Sequence, residues 1–326
     1  MAKIHQPRHG SMQFWPRVKA KRQYAQVRSW TTKSKDPLLG FMGYKVGMTH
    51  VLGIDTGKNS ATKGEEVFVP VTVIECPPMK VAGLRLYKKA YKGTAAAKDI
   101  LFKVDKELAR KIVVPKAHHE TSEMDKLNAH EYVDARLLVY TQPKLAGLSK
   151  KKPEIFEVGL TGSVADKIAF AKSHHDKELP INTFFKEGEL VDIHAVTTGK
   201  GLQGPVKRFG VAFKNHKTEK GVRRVGTLGG WSGQGHFLYR VAHPGQMGYH
   251  LRTEYNKQLL KIGTKPEDVN PKAGFPHYGL VKSTYVLVKG SVAGPQKRAI
   301  LFAKQMRVQK VAGSLPTITE INRNTK

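Results

Sequence analysis

The chain has 326 residues, 40% of them hydrophobic, with 56 Lys and Arg against 26 Asp and Glu and a formal net charge of +30. That apolar share is enough for one large or two modest cores, so the chain reads as a globular protein with basic appendages and not as a disordered polycation. One cysteine, Cys76, excludes an internal disulfide and fits a reducing cytosolic setting, while the polar start MAKIHQPRHGS and the shortness of the apolar runs argue against secretion or a membrane span.

Residues 1–35 carry 9 cations and no acid and form a basic N-terminal extension. In it Arg8, His9, Arg17, Lys19, Lys21, Arg22 and Arg28 lie beside Phe14, Trp15, Tyr24 and Trp30. A plain tail rarely carries two tryptophans, so this arm is expected to become ordered on RNA. From residue 36 short strands alternate with Gly and Pro. Residues 38–53 suggest a hairpin, and 67–76 and 81–91 alternate and are rich in β-branched residues.

Residues 94–188 differ in texture and read as an α+β insertion. Here 135–142 reads as a strand, 120–130 as a short helix, and SVADKIAFAKS as a helix with Ser163 at its N-cap, Asp166 three residues on, and Val164, Ile168 and Ala171 along one face. Strand character returns at 190–197, and 285–294 with 299–303 resemble a closing hairpin. The expected fold is therefore mainly β. A β-barrel from 36–93 and 189–312 is interrupted by a long irregular basic loop at 199–250, carries the 94–188 insertion, and ends in a tail at 313–326.

The loop holds most of the chemical information. Between residues 200 and 262 there are 12 Lys and Arg against 2 acids, Glu219 and Glu254. Such a segment repels itself in water, and its many glycines raise the entropy cost of ordering it alone, so it is expected to take its shape from a polyanion. Lys200, Lys207, Arg208, Arg223, Arg224, Arg240 and Arg252 are the candidate phosphate contacts. Phe209, Phe213, Trp231, Phe237, Tyr239 and Tyr249 are interleaved as candidate stacking surfaces, each worth ~1–3 kcal/mol per base. His216, His236, His243 and His250 sit among these cations, which favours their neutral form. Trp231, flanked by Gly229, Gly230, Ser232 and Gly233, has few neighbours to bury it. RNA fits better than duplex DNA, because an irregular glycine-rich strand threads between RNA helices whereas groove readers use a recognition helix or a paired dimer.

Other chemistries are weaker. GTLGGWSGQG at 226–235 lacks the Lys of a phosphate-binding P-loop and is no dinucleotide fingerprint. The pairs His118-His119 and His174-His175 diverge on a strand or helix, with no Cys cluster beside them, so no metal is expected. Coating of an anionic membrane would need a basic amphipathic helix. The alternative from another class is an RNA-modifying enzyme, or an assembly factor with a basic RNA-binding surface. Its chemistry would need a carboxylate, an activated cysteine or a cofactor pocket, and the only candidates are Glu219, Glu254 and Cys76. These read as two salt-bridge partners and a small core filler. No cofactor and no small-molecule substrate are expected.

PRHGS (7–11), GYKVGMTHV (43–51), PVTVIE (70–75), TTGKGLQGPVKRF (197–209), HPGQMGYHLRT (243–253) and LVKGSVAG (287–294), in this order, resemble the universal large-ribosomal-subunit protein family called L-three over nearly the whole chain. The PRHGS start and the Trp231 loop look like the archaeal and eukaryotic branch, and the length suits an archaeal source. The resemblance implies a translation-protein type barrel, binding near the 3′ end of large-subunit rRNA, an early role in subunit assembly, and a loop running towards the peptidyl transferase centre in a cytoplasmic ribosome. It also implies two neighbours, the large-subunit proteins L-fourteen and eukaryotic-type L-twenty-four. Carried over by motif, Trp231 would sit at the loop tip, with Lys207, Arg208, Arg240, Gln246 and Arg252 on its flanks. Eukaryotic members resemble GHGF where this chain has Gly199-Lys200-Gly201-Leu202, so no role of that histidine transfers.

Overall fold

Valine, isoleucine and threonine dominate 66–75, and β-branched side chains favour an extended, pleated backbone. In the computed structural model, which describes residues 8–31, 34, 36–114, 124, 126–226, 228, 240–307 and 315–323, this segment is the centre of a sheet. The strands are β1 (Gly40–Ile54), β2 (Glu66–Glu75), β3 (Met79–Lys89), β4 (Thr94–Leu101), β5 (Asp134–Tyr140), β6 (Ile155–Gly159), β7 (Glu178–Leu179), β8 (Leu190–Val196), β9 (Leu202–Gln203), β10 (Gly245–Gln246), β11 (Leu251–Gly263), β12 (Tyr285–Lys289), β13 (Ala299–Lys304) and β14 (Thr317–Ile321). Two α-helices among the described residues are α1 (Val164–His174) and α2 (Pro205–Phe209). The mainly β class expected from the sequence holds. The chain divides into two units, one of Met1–Arg22 with Val196–Leu251, the other of Gln23–Ala195 with Arg252–Lys326.

In the larger unit the strand order is β13-β8-β11-β12-β2-β1-β14, and β13 also pairs with β1. Six strands therefore close a hydrogen-bonded circuit, with β14 added along β1, and closure removes free sheet edges. Tyr44, Phe41, Val71, Val73, Tyr285, Leu287 and Phe302 are fully buried within it. Two sequence expectations are corrected here. Residues 40–54 form one strand and not a hairpin, because their glycines serve close packing and not a turn: a Cβ on Gly43 would lie 2.6 Å from the Cys76 sulfur. Likewise β12 and β13 make no hairpin with each other. β12 pairs with β2 and β11, and β13 with β1 and β8.

The second sheet of this unit runs β4-β3-β5-β6, with β7 on β3. β3 thus joins the strands of the insertion and not the closed circuit with which its sequence had grouped it. α1 packs on this sheet through Ile168 and Ala171, and its capping box is complete: Asp166 N donates to Ser163 Oγ at 3.3 Å and Ser163 N to Asp166 Oδ2 at 2.9 Å. Residues 129–131 form a single 3-10 turn, and 120–123 and 125 lie outside the described residues. Trp30, grouped by sequence with the RNA-ordered arm, instead lies against Gly40 and Gly159, where any Cβ would come within 2.7 Å and 2.5 Å of its ring. The expected tail contains β14, paired with the far end of β1.

Of the groups considered for catalysis, Cys76 and Glu254 have structural places, and Glu219 is exposed. Cys76 is buried, and burial with the Glu75 charge pushes its thiol well up, so it fills the core. Glu254 accepts from Ala293 N at 3.0 Å and pairs with Lys257 at 3.3 Å. His174 stacks on Phe170 at 4.1 Å, and His175 Nε2 lies 2.9 Å from Asp176. Glu75 is a fully buried carboxylate that accepts hydrogen bonds from Gly147 N, Tyr278 Oη, Lys282 N, Ser283 N and Ser283 Oγ, pinning two loops to the end of β2.

Candidate nucleic-acid interface

The smaller unit holds six Lys and Arg in 1–22 and nine in 196–251, with Glu219 as its only carboxylate side chain. It is built from the two ends of the loop and the N-terminal arm. β9 and β10 pair at Leu202↔Gln246 and Gln203↔Gly245, and Lys200 N donates to Met247 O and Met247 N to Gly201 O, both at 2.9 Å. These bonds zip the loop at its base. Pro205, whose fixed φ suits a first helical turn, starts α2, and Gly210 in the left-handed region ends it. The arm lies along this base: Ala20 N donates to Tyr249 O at 2.8 Å, and the ring of buried His250 bonds Val18 O at 2.8 Å.

Phe209 joins arm to loop. Its ring is 6% exposed, with the Arg17 guanidinium 4.1 Å from its centroid and Trp15 at 5.8 Å. Gly10 leaves room for it, since a Cβ there would lie 2.6 Å from the ring. Arg208 then ties the loop's two ends together: Nε donates to Gln246 O at 3.0 Å and Nη1 to His243 O at 2.9 Å. Arg17 donates to Arg208 O at 2.9 Å, and Arg8 to Arg240 O at 2.6 Å.

This is a line of guanidiniums held by backbone carbonyls. Burial, reinforced by Arg8, holds Arg17 below its ordinary pKa, and burial with Arg17 does the same to Arg208. Both remain charged at neutral pH, because arginine starts above 12. Like charges gathered this way repel, and the carbonyl dipoles offset the repulsion only in part. An anion laid across them would relieve it.

The other sequence candidates fall into groups. Arg8, His9, Lys21, Arg22, Lys200, Lys207, Arg223, Arg224 and Arg240 are exposed. Gln246 turns its amide back onto Met247 O and Gly248 O, each at 3.1 Å, and His243 is half-buried. Arg252 belongs to the larger unit. Trp231 and His236 lie outside the described residues, as do Phe237 and Tyr239. Two rings of this unit are more than half exposed, Phe14 at 52% and Phe213 at 58%, the latter with Arg223 at 5.0 Å. Sequence reading missed the β9–β10 zipper and the Lys19 ammonium 5.8 Å from the Tyr249 ring. The paired glycine motifs GKGLQG and PGQMG were its only signal. Among the described residues no His, Cys, Asp or Glu group is suited to a metal ion, and no helix is long and apolar enough to cross a membrane.

Known proteins resemble the sequence along its whole length. A profile of the family Ribosomal protein L3 matches residues 1–325. The large ribosomal subunit protein uL3 of Methanosphaera stadtmanae is 44% identical over 335 residues, covering 100% of this chain and 99% of that protein. That of Methanococcus vannielii is 44% identical over 330 residues, with 99% and 98% covered, and that of Archaeoglobus fulgidus 45% over 312 residues, with 94% of each covered. A match that spans both units, from the basic arm to the strands of the closed circuit, leaves one conclusion: the chain belongs to the ribosomal protein L3 family.

Proposed function

We infer that this protein is a structural constituent of the large ribosomal subunit that binds large-subunit rRNA directly and performs no reaction of its own. The observation that carries the reading is the Arg8, Arg17, Arg208 series, gathered in a unit with a single carboxylate, in which Arg17 and Arg208 are partly desolvated and like charges repel. In the finer reading the closed circuit of strands is a handle, and the arm and loop are moulded by RNA near the 3′ end of the rRNA. The loop, with Trp231 at its tip, extends towards the peptidyl transferase centre. Early binding would nucleate subunit assembly, and the neighbours would be the large-subunit proteins L-fourteen and eukaryotic-type L-twenty-four. Family membership and the charge distribution support this.

Co-sedimentation tests it. The native protein should travel stoichiometrically with large subunits in low salt and be stripped only in high salt, because phosphate contacts are screened by ions. A protein present in substoichiometric amounts on immature particles, and absent from mature ones, would identify a modifying enzyme or assembly factor instead. Cross-linking within mature subunits checks the two proposed neighbours.

A further inference from the structure

The β3–β4 hairpin, in the larger unit, ends in the sequence Lys88-Lys89-Ala90-Tyr91-Lys92-Gly93-Thr94. β5 follows β3 only to Tyr87, opposite Asp134, whereas β4 follows it to Lys89, opposite Thr94. The end of the hairpin is therefore a two-stranded ribbon without a third strand, closed by a bond from Ala90 N to Gly93 O at 2.9 Å. Residues 91–99 are all exposed, and Tyr91 is fully so, at 101%. Packing within the chain does not explain a large aromatic ring placed there.

Its surroundings are cationic. Lys89, Lys92 and Lys98 are exposed, and no acid occurs from 88 to 98. The nearby carboxylates are engaged elsewhere: Glu131 with Lys88 at 2.9 Å and Asp99 with Arg85 at 2.7 Å. A protein-binding hot spot would gather several apolar side chains and avoid lysine at its centre. A bare aromatic ring among ammonium groups has the composition of a site that stacks an unpaired base and neutralises the phosphates beside it.

We propose that this hairpin tip is a second rRNA contact, with Tyr91 stacking on an unpaired base and Lys89 and Lys92 meeting the flanking phosphates. The proposal rests on the rRNA-binding reading above and adds a site that the arm and loop do not include. It gives the sheet of β4, β3, β5 and β6 a specific hold on RNA.

The test uses full-length protein carrying Tyr91→Cys, labelled with an iron chelate that generates hydroxyl radicals and assembled into large subunits. Cys76 is 1% exposed, so the label goes to the new thiol. A Lys200→Cys probe reports on the loop base in parallel. Cleavage of a few clustered rRNA nucleotides from position 91 supports the site. Cleavage from position 200 but none from 91 overturns it and leaves the function standing; no cleavage from either overturns both. If radicals from position 91 cut a neighbouring protein and not rRNA, the tip is a protein contact and the proposal fails. In binding assays with large-subunit rRNA, Tyr91→Ala should weaken affinity about ten-fold, Tyr91→Trp should retain it, and Tyr91→Leu, apolar but not planar, should behave like Ala. All three should melt like the parent, because the ring has no packing to lose. Equal affinity for the Leu and Tyr forms would rule out stacking.

Discussion

Replacing Gly248 by alanine should disable the base of the loop while sparing the larger unit. Gly248 has φ +70, and a Cβ there would lie 2.0 Å from the carbonyl oxygen of Thr198. The left-handed backbone alone costs a non-glycine residue about 1–2 kcal/mol. The clash is with backbone, so the chain must shift, and three bonds lie in its way: Tyr249 N to Thr198 O at 3.3 Å, Thr197 N to His250 O at 3.0 Å and Lys200 N to Met247 O at 2.9 Å. Losing two of them adds about 1–3 kcal/mol, for a local total of about 2–5 kcal/mol. Gly201 provides the control. Its φ is +65 but nothing lies within 4 Å, so Gly201→Ala bears only the conformational cost. Filter binding to an rRNA fragment should show Gly248→Ala at least ten-fold weaker than Gly201→Ala, with the main cooperative melting transition kept in both. Equal affinities of the two variants would refute the idea that a preformed loop base presents the cations.

Arg208→Lys keeps the charge but cannot span Gln246 O and His243 O with one rigid fork; rRNA affinity should fall at least ten-fold, from loss of one charged hydrogen bond worth about 1.5–3 kcal/mol, while the salt dependence stays the same. Glu75→Gln turns an amide NH2 towards N–H and O–H donors, so at about 1–3 kcal/mol per orphaned group the melting temperature should drop by about 10 °C, read by calorimetry. Tyr285→Phe removes a buried hydroxyl that has no hydrogen-bond partner and should leave stability at pH 7 unchanged or slightly higher. Burial, with Asp268 and Glu187 adding, pushes the Tyr285 phenol up to about 12, above its unfolded value of about 10. Its contribution is intact below pH 10 and lost as pH rises towards 12, so melting at pH 11 relative to pH 7 should suffer less in the Phe variant.

What could be read from the sequence was what is local. The α1 capping box, the alternation of β2 and β3, and the charge contrast between the loop and the neutral insertion each depend on neighbours a few residues apart. β1 was misread because glycines that admit Cys76 look the same in sequence as glycines that turn. β11 was missed because burial is continuous only at 258–260, with the remaining positions largely half-buried or exposed and polar, so no period of two survives. Strand partners such as β12 with β2, and the bond from Arg17 to the Arg208 carbonyl across 191 residues of chain, depend on closure of the whole fold, which no window of sequence contains. The same holds for Phe209: its sequence context suggests a stacking platform, yet the arm already covers it.

The salt dependence of rRNA binding by the full-length protein tests the central claim most directly, namely that the guanidinium line and its flanking lysines are arranged for a polyanion. A plot of log affinity against log salt concentration should be linear and steep, falling by roughly 0.7–0.9 per phosphate neutralised, and replacing exposed Lys200 and Lys207 together by Ala should make it shallower by about two phosphates' worth. A slope near zero, or one untouched by those two substitutions, would contradict the account.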